Sequence, residues 1–180
     1  MSHLRLISFA LIAIFSTVTL AAAQTATPVP DVKTDWSSMK FLIGTWTCKT
    51  VQNTMGRGTG RTETDVNTMA LDGHYMLTNS TSKPFDKART ATLVGQSWTG
   101  YDGVKKQWYT FGISNFGGFG MSISPGWNGN KMVWTDMYNS DAQPLGVTTV
   151  TKVSNTKTTS ANVTKTAKGT ETSSDECTKS

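Results

Sequence analysis

The sequence predicts an all-β protein, an antiparallel up-and-down β-barrel of about ten strands with one short helix at its N-terminal end. After Gly44 no stretch keeps a helical period of about 3.6 residues. Thr, Val, Tyr and Trp instead dominate runs of roughly six to ten residues, which Gly, Asn, Asp and Pro separate. Without crossover helices a parallel sheet is excluded. An antiparallel meander removes its exposed edges most simply by closing on itself.

The short helix is predicted at residues 35–42. Thr34 or Asp35 can cap it, and Gly44 ends it. Trp36, Met39 and Phe41 give it an apolar side. Ten strands are predicted after it, at residues 45–51, 61–69, 74–81, 90–99, 107–113, 118–124, 131–138, 146–153, 157–166 and 169–177. Asp-Gly and Asn-Gly pairs at 72–73 and 128–129 tolerate positive φ and therefore indicate tight turns.

The first residues are typical of a cleaved secretory signal. Arg5 supplies the positive charge, residues 6–20 are mainly apolar, and three alanines precede Gln24. The alternative is a membrane anchor, but small residues follow the apolar stretch where an anchor would carry a basic stop signal. We therefore predict a signal peptide at 1–23, a flexible lead-in at 24–34 and one domain at 35–180.

The charge of the chain argues against nucleic acid as a partner. The whole chain carries 17 Lys and Arg against 12 Asp and Glu. Removal of Arg5 with the signal leaves a net charge of roughly +4, and the longest basic run is Lys105-Lys106. Nucleic-acid binding would need basic residues massed on one face. The pattern favours an ordinary solvated surface.

Two cysteines lie near the ends of the predicted domain, Cys48 and Cys177. In an oxidising compartment a single pair of cysteines usually forms a disulfide, and this one would join the last strand to the first. A reactive thiol is the alternative, but no nearby histidine or basic cluster would activate a thiolate.

The residues Phe-Leu-Ile-Gly-Thr-Trp at 41–46 form a short helical segment that leads into a Gly-x-Trp strand. This motif resembles the entry of lipocalin-like, or calycin, barrels. Four further segments belong to the same likeness, at residues 100–102, 116–121, 126–129 and 176–179. Together they resemble uncharacterised secreted bacterial proteins of that class.

This resemblance implies that Trp46 covers the closed end of the barrel and that Gly44 permits close backbone approach. It also implies a secreted or periplasmic bacterial protein. It carries no established activity.

Catalytic chemistry has little support in the sequence. His74 is the single histidine after the predicted signal peptide, and no cluster of metal ligands or Gly-x-Ser-x-Gly elbow accompanies it. One axial histidine would suffice for haem, but a histidine at the start of a strand is more often hydrogen-bonded near a turn. No catalytic residue, metal or cofactor is predicted.

Aromatic and methionine side chains alternate along the strands in the middle of the chain. If these faces turn inward they line the barrel with a surface that suits a small apolar ligand. The candidate pocket residues are His74, Tyr109, Phe111, Phe119, Met121, Trp134 and Tyr138. The alternative is that the same side chains fill a solid core.

Three functions therefore remain open. The first is extracytoplasmic binding of a small apolar or amphipathic ligand, with no membrane contact once the signal is removed. The second is a structural or protein-interaction module with a solidly packed barrel. The third is an enzyme that uses His74 or carboxylates at the barrel mouth.

Overall fold

Ten strands close into one antiparallel barrel in the computed structural model, which describes residues 34–54, 60–83, 91–140 and 145–180. The strands are β1 (Gly44–Asn53), β2 (Thr62–Ala70), β3 (Tyr75–Ser82), β4 (Leu93–Asp102), β5 (Gln107–Ser114), β6 (Phe119–Ser124), the two-residue β7 (Trp127–Asn128), β8 (Lys131–Asn139), β9 (Gly146–Lys152), β10 (Lys157–Thr166) and β11 (Gly169–Lys179). Consecutive strands pair with each other except β6 and β7, β1 pairs with β11, and β6 pairs directly with β8. The all-β class and the ten main strands are confirmed, to within about three residues at each end.

Part of the predicted organisation lies outside the described residues. Residues 1–33, which contain the predicted signal peptide and most of the lead-in, are not described, and neither is Thr90, the predicted first residue of the fourth strand.

The predicted helix at 35–42 is not found, and no α-helix occurs among the described residues. Residues 37–39 form a turn, and Lys40–Leu42 forms a single 3-10 turn. The backbone N–H groups of Leu42 and Ile43 donate to carbonyls three residues earlier. A segment this short gains little from α-helical hydrogen bonds, and the three-residue spacing of Trp36, Met39 and Leu42 fits the 3-10 repeat.

This N-terminal segment closes one end of the barrel. Met39 packs with Met76, Trp108 and Met132 in a buried cluster, and Trp36, Leu42 and Trp127 pack against it. Burial of four such side chains makes this end the hydrophobic core of the domain.

Polar contacts fix the segment to the barrel. The indole N–H of Trp36 donates to the Gly73 carbonyl (2.7 Å), and that of Trp46 donates to the Leu42 carbonyl (2.7 Å). The Asn67 side chain donates to the same Leu42 carbonyl (2.9 Å). The last turn before β1 is therefore held by two side chains of the barrel.

The disulfide between Cys48 and Cys177 is confirmed. The two residues lie directly opposite each other in the β1–β11 ladder and are separated by 129 positions in the sequence. The bond therefore joins the first main strand to the last. A disulfide also fits an oxidising compartment.

The strand register decides which side chains face the interior. Cross-strand partners share one face of a sheet, so a buried residue identifies the inward face of its strand. Trp108 is buried, and it pairs with Ser124 of β6, which is also buried. Thr110 and Gly112 therefore face inward with Trp108, while the intervening residues of β5 face outward.

Two bulges interrupt this alternation. In β1 the register with β11 shifts between Thr50 and Gln52. In β8 Asp136 pairs with Ser122 and Tyr138 pairs with Met121, so Met137 is the extra residue. A bulge moves the residues beyond it to the opposite face. Met137 and Tyr138 are consequently both exposed.

Candidate functional site

A cavity of about 330 Å³ lies inside the barrel, next to the closed end. Its apolar wall comes from the N-terminal segment and from the inward faces of β3, β8 and β9. The apolar lining residues are Met39, Leu42, Met76, Trp127, Met132, Trp134 and Val150. Most of them belong to the core cluster or pack against it, so the cavity lies directly beside the hydrophobic core.

The rest of the cavity wall is polar. These residues occupy the inward positions of successive strands, and most of them carry hydroxyl groups. They are Asp65, Asn67, Thr78, Thr99, Thr110, Ser122 and Thr148. The hydroxyls can both donate and accept hydrogen bonds. The cavity therefore presents an apolar wall and a hydrogen-bonding wall to the same open volume.

Several of the polar groups are held in place by one another. Thr78 Oγ1 donates to Asn67 Oδ1 (2.6 Å), and Thr99 Oγ1 donates to Thr110 Oγ1 (3.3 Å). Ser122 Oγ donates to Asp136 Oδ1 (2.7 Å), whose second oxygen accepts the Gly146 backbone N–H (3.0 Å). These bonds orient the hydroxyl oxygens before any ligand arrives.

Asp65 is the carboxylate of the cavity wall. Burial is the main cause that raises its pKa, from 3.8 to about 6, and the negative charge of Glu63 adds to the effect. The Ser80 hydroxyl donates to Asp65 Oδ1 (2.6 Å) and opposes the shift. Near neutral pH this carboxylate is therefore mostly ionised, and its protonated fraction grows as the pH falls through about 6. Either form can hydrogen-bond to a polar ligand group.

A smaller pocket of about 200 Å³ adjoins Asp65 on the side of the disulfide. Cys48 Sγ lies 3.6 Å from Asp65 Oδ2. Asp175 accepts hydrogen bonds from Thr50 Oγ1 (2.8 Å) and Ser160 Oγ (3.0 Å). Arg61 and Glu63 form an ion pair at the rim of this pocket. Asp65 thus connects the main cavity to a polar, mostly acidic recess.

Small residues line the wall away from the closed end. Gly95, Gly112 and Gly120 occupy inward positions and line a second hollow of about 330 Å³ together with Ser97 and Ser114. Glycine leaves the backbone bare, so this part of the barrel remains open rather than filled.

The sequence-predicted pocket residues divide between the two faces of the sheet. Trp134 faces inward and lines the main cavity. Tyr109, Phe111, Phe119 and Met121 face outward, because they alternate with the inward residues of β5 and β6.

Tyr138 also faces outward, because the bulge at Met137 reverses the alternation that begins at Trp134. Five of the seven side chains therefore face outward, although Phe119 also borders the second hollow.

The remaining candidate, His74, lies at the turn before β3. Its backbone N–H donates to the Leu71 carbonyl (3.0 Å), and its side chain does not line the cavity. The sequence predicts His74 as the first residue of this strand, whereas β3 begins one residue later.

Gly44 and Trp46 lie at the closed end. Trp46 is 2 % exposed, and Gly44 has a φ of +119°. A Cβ atom at Gly44 would lie 2.9 Å from Lys179 Cε. The backbone angle is the main requirement for glycine here, because the flexible end of the Lys179 side chain can move aside.

The polar lining was not predicted from the sequence. In β5 both alternating sets contain aromatic residues, Trp108 on one side and Tyr109 and Phe111 on the other. Counting apolar residues therefore selected the wrong face as the inner one. A usable signal was present in β2, where Asp65 and Asn67 alternate with Val66 and share a face with Met69.

The described residues offer neither a metal centre nor a membrane-spanning helix. No group of three or more His, Cys, Asp or Glu in the described ranges is placed to hold a metal ion. No helix in the same ranges is long and apolar enough to cross a membrane. In comparisons with known proteins, no protein-family model matches the chain, and no curated protein resembles it closely enough to count as a match.

Proposed function

We propose that this protein works outside the cytoplasm and binds one small amphipathic molecule inside its barrel. The observation that carries the proposal is the two-sided main cavity, with methionine and tryptophan on one wall and hydroxyl groups and Asp65 on the other. Its volume of about 330 Å³ lies at the lower end of the range of ligand sites.

The chemistry of the two walls defines the ligand. Trp134, Met76 and Met132 form a soft apolar surface that accommodates an aliphatic chain or a ring. Asp65 accepts hydrogen bonds when it is ionised, and the threonine hydroxyls do so at any pH. The ligand therefore has an apolar end near the N-terminal segment and a polar end that carries hydrogen-bond donors, such as a hydroxyl or an amine.

Four features support a location outside the cytoplasm and a place in the lipocalin-like class. The disulfide fits an oxidising compartment, and the sequence predicts a signal peptide. The closed antiparallel barrel and the position of Trp46 at its closed end agree with the resemblance to calycin proteins.

Native mass spectrometry of the protein purified from its own host tests the proposal. We expect a fraction of the molecules to carry one non-covalently bound small molecule, released on unfolding. A neutral naphthylamine dye then measures binding to the emptied protein in solution. We use a neutral dye because the acidic recess would repel an anionic one.

A pair of variants locates the binding. Thr110→Phe places a ring in the main cavity, and Thr62→Phe adds the same ring at an exposed outward position of β2. We expect Thr110→Phe to weaken dye binding at least about tenfold, since the ring occupies the ligand volume, and Thr62→Phe to leave it unchanged. Equal affinities in both variants, with no retained molecule from the host, would contradict the proposal.

A further inference from the structure

A row of apolar side chains crosses the outside of the barrel. Leu77, Trp98, Phe111, Met121 and Tyr138 are successive cross-strand partners on β3, β4, β5, β6 and β8. Residues paired in this way point to the same side of the sheet. Since the inward positions of these strands carry Thr78, Thr110 and Ser122, the row faces out.

The row belongs to a broader patch, which we call the apolar outer face and define as Trp98, Phe111, Ile113, Phe119, Met121 and Tyr138. Four of these side chains are strongly exposed, Ile113 and Tyr138 at 52 %, Phe119 at 39 % and Met121 at 38 %. The Phe119 and Tyr138 rings are in contact at a tilt of 49°, with their centroids 5.5 Å apart. The patch is therefore continuous rather than a set of scattered residues.

The patch is also free of charge. The outward positions of residues 94–100, 109–113 and 119–123 carry no Asp, Glu, Lys or Arg, and neither do those of residues 133–138. The other side of the barrel differs, because Lys49, Lys157 and Glu176 lie on the outer faces of β1, β10 and β11. The apolar surface thus covers one side of the barrel and not its whole circumference.

We propose that two copies of this chain associate through the apolar outer face. With Val94, Val133 and Met137 at its margins, the patch presents on the order of 700 Å² of apolar surface, judged from these exposed fractions and the usual side-chain areas. The largest apolar patch of a typical monomer is about 300–600 Å². One partner's share of a standard interface is about 800 Å².

A second copy is the occupant that the chemistry favours. An uncharged surface forms no ion pairs with a charged partner. In a two-fold dimer, by contrast, each copy of this chain contributes the same aromatic and methionine side chains to the interface. A one-sided patch also suits a face-to-face dimer. The surface is ordered in advance, because Tyr109 donates to the Tyr75 hydroxyl (2.9 Å) beside it, and Gln96 donates to Asn79 (2.9 Å) at its margin.

The interface is independent of the ligand site. It uses outward side chains, whereas the main cavity is lined by inward ones, so either proposal can fail without the other.

Sedimentation velocity of the mature, disulfide-bonded protein across micromolar concentrations tests the dimer. We expect a concentration-dependent dimer for the wild type. Met121→Lys should weaken association at least about a hundredfold, because it places an unpaired charge at the centre of the interface. Val51→Lys is the matched control, since Val51 is a similarly exposed valine on the outer face of β1 (47 %), and it should dimerise as the wild type does.

Circular dichroism and an intact disulfide show that each variant is folded before it is compared. A wild type that stays monomeric at the highest concentration overturns the proposal. So does a Met121→Lys variant that dimerises as well as Val51→Lys. Binding of a monomer to vesicles of neutral lipid would identify a membrane surface as the occupant and overturn it also.

Discussion

The side chain of Lys179, the penultimate residue, lies across the closed end of the barrel beside Trp46. Its Nζ atom is 5.9 Å from the centroid of the Trp46 ring and donates to the Phe41 carbonyl at 3.0 Å. The two residues are also cross-strand partners in the β1–β11 ladder. The end of the chain is therefore bonded to the segment that enters the first strand.

Removal of this ammonium group should destabilise the domain. We expect Lys179→Ala to lower the free energy of unfolding by about 1–2 kcal/mol, through loss of a charged hydrogen bond and of the contact with Trp46. Urea unfolding measures the loss. Lys179→Met keeps the apolar part of the side chain and should lose only the stability that comes from the ammonium charge. Lys168→Ala lies in the exposed β10–β11 turn and should leave the unfolding free energy unchanged. Equal stability of Lys179→Ala and Lys168→Ala would contradict the role.

Gly44 should tolerate a side chain poorly, chiefly because its φ of +119° is one that L residues rarely adopt. Gly44→Ala puts a Cβ atom 2.9 Å from Lys179 Cε at a φ of +119°, and we expect a loss of about 1–3 kcal/mol in unfolding free energy. Gly103→Ala is the control, since a Cβ there meets nothing within 4 Å. Thermal unfolding of the two variants side by side gives the comparison, and a Gly44→Ala protein as stable as the control would refute the expectation.

Asp65 should make the stability of the protein depend on pH. Its pKa is about 6 in the folded protein, whereas the ordinary value is 3.8. Between these two pH values the folded state therefore binds more protons at Asp65 than the unfolded chain does. The stabilising contribution of the protonated form is complete below pH 3.8 and is lost as the pH rises through about 6. The full effect corresponds to about 2–3 kcal/mol.

Asp65→Asn should remove this dependence. The amide oxygen still accepts from Ser80, and no buried charge forms, so we expect the variant to be the more stable protein at pH 7. Denaturant unfolding at several pH values between 4 and 7 measures the difference from wild type. Asp72→Asn, at an exposed turn, should keep the wild-type slope. An unchanged slope in Asp65→Asn would show that Asp65 does not titrate in this range.

The disulfide should contribute strongly to stability. Cys48 and Cys177 close a loop of 129 positions, for which chain entropy gives about 4–5 kcal/mol. We expect the double variant Cys48→Ala, Cys177→Ala to unfold at much lower urea concentration than the oxidised wild type. Reduced wild type is the internal control and should unfold near the double variant. Coincident unfolding of oxidised and reduced protein would disprove the contribution.

The strands could be predicted from the sequence, but the conformation of the N-terminal segment could not. The strands were predictable because β-branched and aromatic runs end at Asp-Gly and Asn-Gly turns, as at 72–73 and 128–129. The helix at 35–42 was not, because a capped eight-residue segment supports an α-turn and a 3-10 turn about equally. Packing of Trp36 and Met39 against the barrel selected the second.

The candidate site was predictable only in part. Trp134 was placed correctly in the interior, since no bulge separates it from the buried Met132. Tyr138 was not, because the extra residue in β8 leaves no mark in the alternation of the sequence. Asp65 was not predicted in the interior, because carboxylates on strands are mostly exposed.

The sequence alone determined the all-β class, the ten main strands, the turns between them and the pairing of Cys48 with Cys177, since strand propensity, turn chemistry and the scarcity of cysteine are properties of short segments or of composition. The tertiary structure decided which face of each strand is the inner one. Alternation of side chains defines two faces of a strand, but it does not tell which face is the inner one when both carry aromatic residues, as they do in β5. Only closure of the barrel, with the N-terminal segment packed on Met76, Trp108 and Met132, places the hydroxyl groups inside and the apolar outer face outside.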